Sequence, residues 1–131
     1  MRHLLDTNVF LWSLAAKDKL NSKALTVLSS SASQIYFSAA SSWEISIKHA
    51  LGKIQLPAPP SEFIPQVIRE MGLVHLDVTS VHALAAGELP PHHRDPFDRM
   101  LISQARAEDL LLLTADRTLK QYDVEVLLCG R

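Results

Sequence analysis

Asp95-Pro96-Phe97-Asp98-Arg99-Met100-Leu101-Ile102-Ser103-Gln104-Ala105-Arg106-Ala107-Glu108 runs almost directly into Leu110-Leu111-Leu112-Leu113-Thr114-Ala115-Asp116. The first stretch reads as a helix over 96–108. Pro96 fits the first helical position, where its missing N–H is no loss, and this makes Asp95 the N-cap. Asp98 then sits at the third helical position, where an acid complements the helix dipole. The four leucines are of strand length and read as a buried strand over 110–113, with a short helix over 117–122 after it. Upstream, the same alternation continues. A strand over 2–5 ends at Asp6, helices cover 8–16 and 21–31, and Gln34-Ile35-Tyr36-Phe37-Ser38 is a strand. A helix over 41–52 carries Trp43, Ile47, Ala50 and Leu51 on one apolar face, with Gly52 near its C-terminal cap. A helix over 61–71 stops at Gly72, and Pro65 is tolerable only near its first turn. A strand over 73–76, a helix over 79–88 and a last strand over 125–128 complete the reading. Strands alternating with helices imply an α/β fold with a mainly parallel sheet. Such folds collect their chemistry beyond the carboxyl ends of the strands.

Length and composition set the outer bounds. A chain of 131 residues suits a single domain over 1–131 with its own core. With 47% hydrophobic and 21% charged residues it is neither disordered nor fibrous. No apolar run approaches the roughly 18 residues of a membrane span. Asp6 comes too early for a signal peptide. The lone Cys129 has no partner for an internal disulfide, so a cytoplasmic location is expected. A net charge of −1 excludes a protein that holds nucleic acid by bulk charge, though a local basic patch stays possible.

Four acids stand where an α/β sheet gathers function. Asp6 follows the first strand, and Asp6-Thr7-Asn8 offers three oxygen-bearing side chains in succession. Glu44 lies just after the second strand, Asp98 at the start of helix 96–108, and Asp116 just past the leucine strand. Each has a structural alternative. Asp6 and Asp116 are good N-caps, Asp95 and Asp98 suit a helix start, and Glu44 suits an i,i+4 pair with Lys48. Asp95 is assigned mainly to capping and Asp98 mainly to chemistry. All four acids map to one edge of the sheet, where packed carboxylates would repel and raise one another's pKa values unless a divalent cation joined them. Carboxylates without a Cys or His cluster favour Mg²⁺ or Mn²⁺ over zinc, and such ions support phosphoryl chemistry.

The remaining polar residues are less telling. His92 and His93 are adjacent in a Pro-rich loop, lack the i,i+4 spacing of a helical ligand pair, and read as solvated. Trp43 shares a helical face with Ile47 and Leu51 and reads as core. Lys48, Arg94 and Arg99 either contact a phosphate backbone or balance the acids. Thr114 can hold a carboxylate or a water by its hydroxyl. A receiver-type phosphoacceptor would need a second acid beside Asp6, and a dehalogenase-like phosphatase would need an Asp where Asn8 stands. With four glycines there is no phosphate-cradling loop, and no nucleophile elbow is present.

Asp6-Thr7-Asn8, Ser42-Trp43-Glu44-Ile45 followed by Lys48 and Leu51-Gly52-Lys53, Arg94-Asp95-Pro96-Phe97-Asp98-Arg99, and Leu113-Thr114-Ala115-Asp116 resemble, in this order, the motifs of PIN-domain proteins. Size and order are similar to the VapC-like toxins of type II toxin–antitoxin systems. The resemblance spans essentially the whole chain. It implies a three-layer α/β/α sandwich around a parallel sheet of four or five strands. It implies an endoribonuclease dependent on Mg²⁺ (or Mn²⁺) that cuts tRNA, rRNA or another RNA and so arrests translation. Carried over residue by residue, its acids are Asp6, Glu44, Asp98 and Asp116, as metal ligands and catalytic groups. Its implied partners are an RNA substrate, a small cognate antitoxin protein and a second copy of the chain in a homodimer, with no membrane. The competing reading is a non-catalytic PIN-like module that binds RNA or protein and needs the fold but not the acids. A DNase of the same fold ranks lower, because no insertion for threading a strand is visible.

Overall fold

A computed structural model describes residues 1–131. Five strands form one sheet: β1 (Arg2–Leu5), β2 (Gln34–Ser38), β3 (Val74–Leu76), β4 (Leu111–Thr114) and β5 (Val126–Leu128). Their order is β3-β2-β1-β4-β5 and every pairing is parallel. Six α-helices connect them: α1 (Thr7–Ala15), α2 (Ser22–Ser29), α3 (Ala39–Ala50), α4 (Pro60–Met71), α5 (Ser80–Glu88) and α6 (Pro96–Glu108). Short 3₁₀ turns lie at Lys17–Lys19 and Arg117–Gln121. No helix is long and apolar enough to cross a membrane.

The period-2 geometry of strands explains the three layers. Leu5, Ile35, Phe37 and Leu113 point to one face and pack with Val9, Phe10, Ala24, Ile45 and Ile64 from α1 to α4. Leu4 and Leu112, one residue away, point to the other face and pack with Leu89, Leu101, Ile102 and Ala105 around α5 and α6. Both faces of the sheet are covered, which is why its strands read as continuous apolar runs. Cys129 lies in the first core, and burial pushes its thiol up to about 12, so it packs as a small apolar side chain.

Chain reversals account for most boundary differences. Ser38 both ends β2 and caps α3, its hydroxyl accepting from Ala40 N–H at 3.0 Å, so this helix starts at residue 39 and not 41. Leu110 closes α6, its N–H donating to Ala105 O at 2.8 Å, and the strand therefore begins at Leu111. Gly72 ends α4 with φ of 66°, a conformation natural to glycine. Pro65 sits deeper in α4 than its first turn. It is exposed, as is Ser61, whose carbonyl loses its helical donor to the proline, so this break in the helical bonding lies at the surface.

Trp43 corrects the face assigned to α3. It is 65% exposed and Leu51 is 64% exposed, while the buried residues are Ala40, Ser41, Glu44 and Ile45. The helix is rotated so that Glu44 faces inward. Trp43 instead stands edge-on to Phe97, ring centroids 5.4 Å apart.

Candidate active site

The strand order reverses beside β1. The chain winds from β1 through β2 to β3 on one side, then crosses to β4 on the other. The carboxyl ends of β1 and β4 flank this switch point, where α/β sheets form their crevices. Asp6 follows β1 and is 5% exposed. Its Oδ1 accepts from Asn8 N–H at 3.0 Å, capping α1. Its Oδ2 accepts the Thr114 hydroxyl from the end of β4. Thr114 Oγ1 in turn accepts from the Asp116 N–H at 3.1 Å, so one hydroxyl sets both acids. Of the other two residues in Asp6-Thr7-Asn8, Thr7 donates to Ser41 Oγ at 2.9 Å and Asn8 is exposed.

Glu44 enters from α3, is 6% exposed, and pairs with Lys48 Nζ at 2.8 Å. The i,i+4 pair is therefore real, and it coexists with a carboxylate aimed inward. Asp95 spends its Oδ1 on capping α6, accepting from Phe97 N–H at 2.8 Å and Asp98 N–H at 3.2 Å. Asp98, one turn inside that helix, points its Oδ2 to within 3.2 Å of His93 Nε2. Asp116 accepts from Thr118 N–H at 2.9 Å through Oδ1 and lies 2.9 Å from His93 Nε2 through Oδ2.

The electrostatics mark these acids as neighbours. Burial raises the pKa of Asp6; the Thr114 hydroxyl and Asn8 amide oppose this, and the charges of Glu44 and Asp116 add to it. Burial also raises Asp98, to about 7, and the charges of Asp6, Asp95 and Glu44 reinforce the shift while His93 opposes it. At Asp116 burial pushes upward, but the bonds from Thr118 and His93 outweigh it and the net shift is downward. Asp6, Glu44, Asp98 and Asp116, contributed by four different elements, thus lie within electrostatic reach of one another, while the group of three whose ligand atoms come within 4.8 Å of one another is Asp98, Asp116 and His93. Four carboxylates are hard oxygen donors, the set that suits Mg²⁺ or Mn²⁺. Two of them are held at raised pKa in part by the charges of the others, a conflict that a cation would relieve.

Two residues depart from the sequence reading. His93 is not a solvated loop residue. Its side chain is 18% exposed and its Nε2 lies between Asp98 and Asp116. Helical i,i+4 spacing was the wrong criterion, since a loop folded inward can present one of two adjacent histidines; His92 stays outside, edge-on to Tyr122. The usable signal was position: His93 lies two residues before the Asp95 N-cap and just after Pro90-Pro91. Arg99, expected either to contact a phosphate or to balance the acids, is committed elsewhere. Its guanidinium donates to the carbonyls of Ala86 (2.9 Å), Leu89 (2.9 Å), Pro90 (3.0 Å) and His93 (3.2 Å). It clamps the loop that carries His93. Arg99→Lys keeps the charge but not the planar fork, and is expected to lower stability by about 2–3 kcal/mol in urea unfolding. An unchanged midpoint would show that the loop does not depend on the clamp.

Comparison with known proteins agrees with this fold. Residues 3–125 match the PIN domain family. A stretch of 48 residues is 42% identical to Ribonuclease VapC16 of Mycobacterium tuberculosis, covering 37% of this chain and only 34% of that protein. Among solved structures, VapBC2 from Rickettsia felis, bound to a DNA fragment from its promoter, aligns over 99% of this chain and 100% of that chain, with a TM-score of 0.72 and 15% identity. FitAcB from Neisseria gonorrhoeae aligns over 97% and 96% of the two chains, with a TM-score of 0.66 and 21% identity. The structural likenesses are likenesses of fold. The family match runs through the strands and helices that bring the four acids to one edge, and on it the chain belongs to the PIN-domain family.

Proposed function

We propose that the chain is a divalent-cation-dependent endoribonuclease, the toxin of a toxin–antitoxin pair. The observation that carries this reading is the convergence of Asp6, Glu44, Asp98 and Asp116 at the switch point of the sheet, with Asp6 and Asp98 held at raised pKa. These four carboxylates would hold Mg²⁺ or Mn²⁺. When bound, such an ion supplies water activation and neutralises charge developing at phosphorus. The reaction adds water across one P–O bond of the RNA backbone, with a proton ending on the leaving oxygen. The chain's own part is positioning. Thr114 fixes Asp6, Lys48 offsets the charge of Glu44, and Asp95 holds the start of α6 so that Asp98 faces its neighbours.

RNA must be held beside these acids. A shallow cleft of about 350 Å³ adjoins Glu44 and is lined by Lys48, Lys53, Arg94, Leu51 and Phe97. Lys53 and Arg94 are exposed cations suited to flanking phosphates. Replacing both by Ala is expected to raise KM for RNA roughly 3–10-fold, to leave kcat near wild type, and to flatten the salt dependence by about one unit of slope per cation. A fall in kcat with KM unchanged would instead place them at the reacting phosphate.

The antitoxin assignment draws on the structural neighbours, among them VapBC2, FitAcB and a toxin-antitoxin complex from Klebsiella pneumoniae. An apolar groove of about 600 Å³ between α3 and α4, lined by Trp43, Pro60, Ile64 and Ile68, suits an apolar segment of such a partner. Val81 and Leu84, both exposed on α5, offer an apolar face to a second copy of the chain. The test of the function is direct: purified protein should cleave RNA with Mg²⁺ or Mn²⁺ and not in EDTA. Equal cleavage in EDTA, or none under either condition for folded protein, contradicts it.

A further inference from the structure

We propose that His93 is a positioning residue of the acidic site: its Nε2–H bridges Asp98 and Asp116 and holds the two carboxylates together for a divalent cation that it does not itself ligate. The inference rests on the metal-site reading above. It starts from the other ring nitrogen. The Asp95 backbone N–H donates to His93 Nδ1 at 3.0 Å. A nitrogen that accepts this bond carries no proton, so in the neutral ring the proton is on Nε2. That nitrogen lies 2.9 Å from Asp116 Oδ2 and 3.2 Å from Asp98 Oδ2. For Nε2 to bind a metal, its proton would have to move to Nδ1, which would then face the Asp95 N–H donor to donor. The three atoms lie within 4.8 Å of one another, as ligands of one ion would. The fixed tautomer makes His93 the donor of the three.

The backbone that carries the ring is held on both sides. The His93 backbone N–H donates to Tyr122 Oη at 2.8 Å, and the Tyr122 hydroxyl donates to Pro90 O at 2.9 Å. The His93 carbonyl accepts from Arg99 at 3.2 Å. A histidine merely filling a loop needs none of these anchors. Their joint effect is to aim one N–H at two carboxylates that would otherwise repel. Each bridged oxygen keeps a second lone pair for an ion. Hydrogen-bond partners of ligating groups are typically worth about 10–100-fold in metal affinity.

Two substitutions separate the two sides of the ring. His93→Asn keeps an acceptor near Nδ1 for the Asp95 N–H and removes the Nε2 donor. His93→Gln returns an N–H near the Nε2 position. Mn²⁺ alone is titrated by calorimetry into the metal-free full-length wild type and both variants, and pulsed EPR is recorded on Mn²⁺ bound to the wild type. The expected result is about 10–100-fold weaker Mn²⁺ binding in His93→Asn, recovery towards wild type in His93→Gln, and no signature of directly bound imidazole nitrogen. Wild-type or tighter affinity in His93→Asn overturns the proposal, as does equal weakening in both variants. Directly coordinated imidazole nitrogen in the wild-type spectrum also overturns it, and that measurement needs no variant to fold. Wild-type protein that binds no Mn²⁺ at all removes the metal-site reading, and this inference with it.

Discussion

Asp6→Asn is expected to reduce RNA cleavage by roughly 10³-fold or more while leaving the fold intact. Asn is as good an N-cap as Asp, so its amide oxygen still accepts from Asn8 N–H at the start of α1. Its amide N–H₂ falls where Oδ2 accepts the Thr114 hydroxyl, and that hydroxyl can turn to accept instead of donate. The shape is preserved and only the charge is lost. Asp6 is the most enclosed of the four acids, and its neighbours Glu44 and Asp116 both act on it electrostatically. Cleavage rates, together with circular dichroism and urea unfolding of the variant, check the expectation. A folded Asp6→Asn protein with full activity would refute the assignment of this carboxylate.

The second large effect concerns stability without metal. Asp98 has a pKa raised to about 7, so the folded protein binds its proton more tightly than the unfolded chain does. Stability therefore falls as pH rises from the unfolded value near 4 towards 7, and levels off above that. The raised pKa of Asp6 acts in the same sense. Asp116 has a lowered pKa, and the stability it contributes is lost only as pH falls below the ordinary carboxylate range, outside this window. The penalty from Asp98 is at most about 4 kcal/mol, at 1.36 kcal/mol per unit. Asp98→Asn removes it. In EDTA the variant should match wild type near pH 4 and exceed it by about 2–4 kcal/mol at pH 8. Added Mn²⁺ should stabilise wild type at pH 8 and leave the variant almost unchanged. Urea unfolding at both pH values measures all of this. A variant less stable than wild type at pH 8 would show that the Asp98 charge is satisfied by the protein itself.

The layers were legible in the sequence because strand alternation is a strong signal. Leu4 and Leu5, or Leu112 and Leu113, must face opposite cores, and both faces had helices to cover them. The ends of elements were less legible where one residue does two jobs, as Ser38 does between β2 and α3 and Leu110 does between α6 and β4. Asp6, Asp98 and Asp116 are legible because each follows a strand or opens a helix, whereas Glu44 lies in the second turn of α3. Their convergence depends on strand order, which the linear sequence does not print. Trp43 departs from its expected place because apolar spacing on α3 outlines a stripe, yet an inward Glu44 turns that stripe outward. The roles of His93 and Arg99 are not legible for a related reason. Both owe their roles to a Pro-rich loop whose path is fixed by side-chain bonds to distant carbonyls and carboxylates. No periodicity records such a path.

The four carboxylates are proposed to cut RNA. Brief induction of the wild-type and Asp6→Asn proteins in bacteria, followed by mapping of new RNA 5′ ends across all cellular RNA, tests it most directly. New ends clustered at one or a few sites, present with wild type and absent with Asp6→Asn, are the predicted result. Identical maps from the two soluble, folded proteins would contradict it and leave the fold as a binding module.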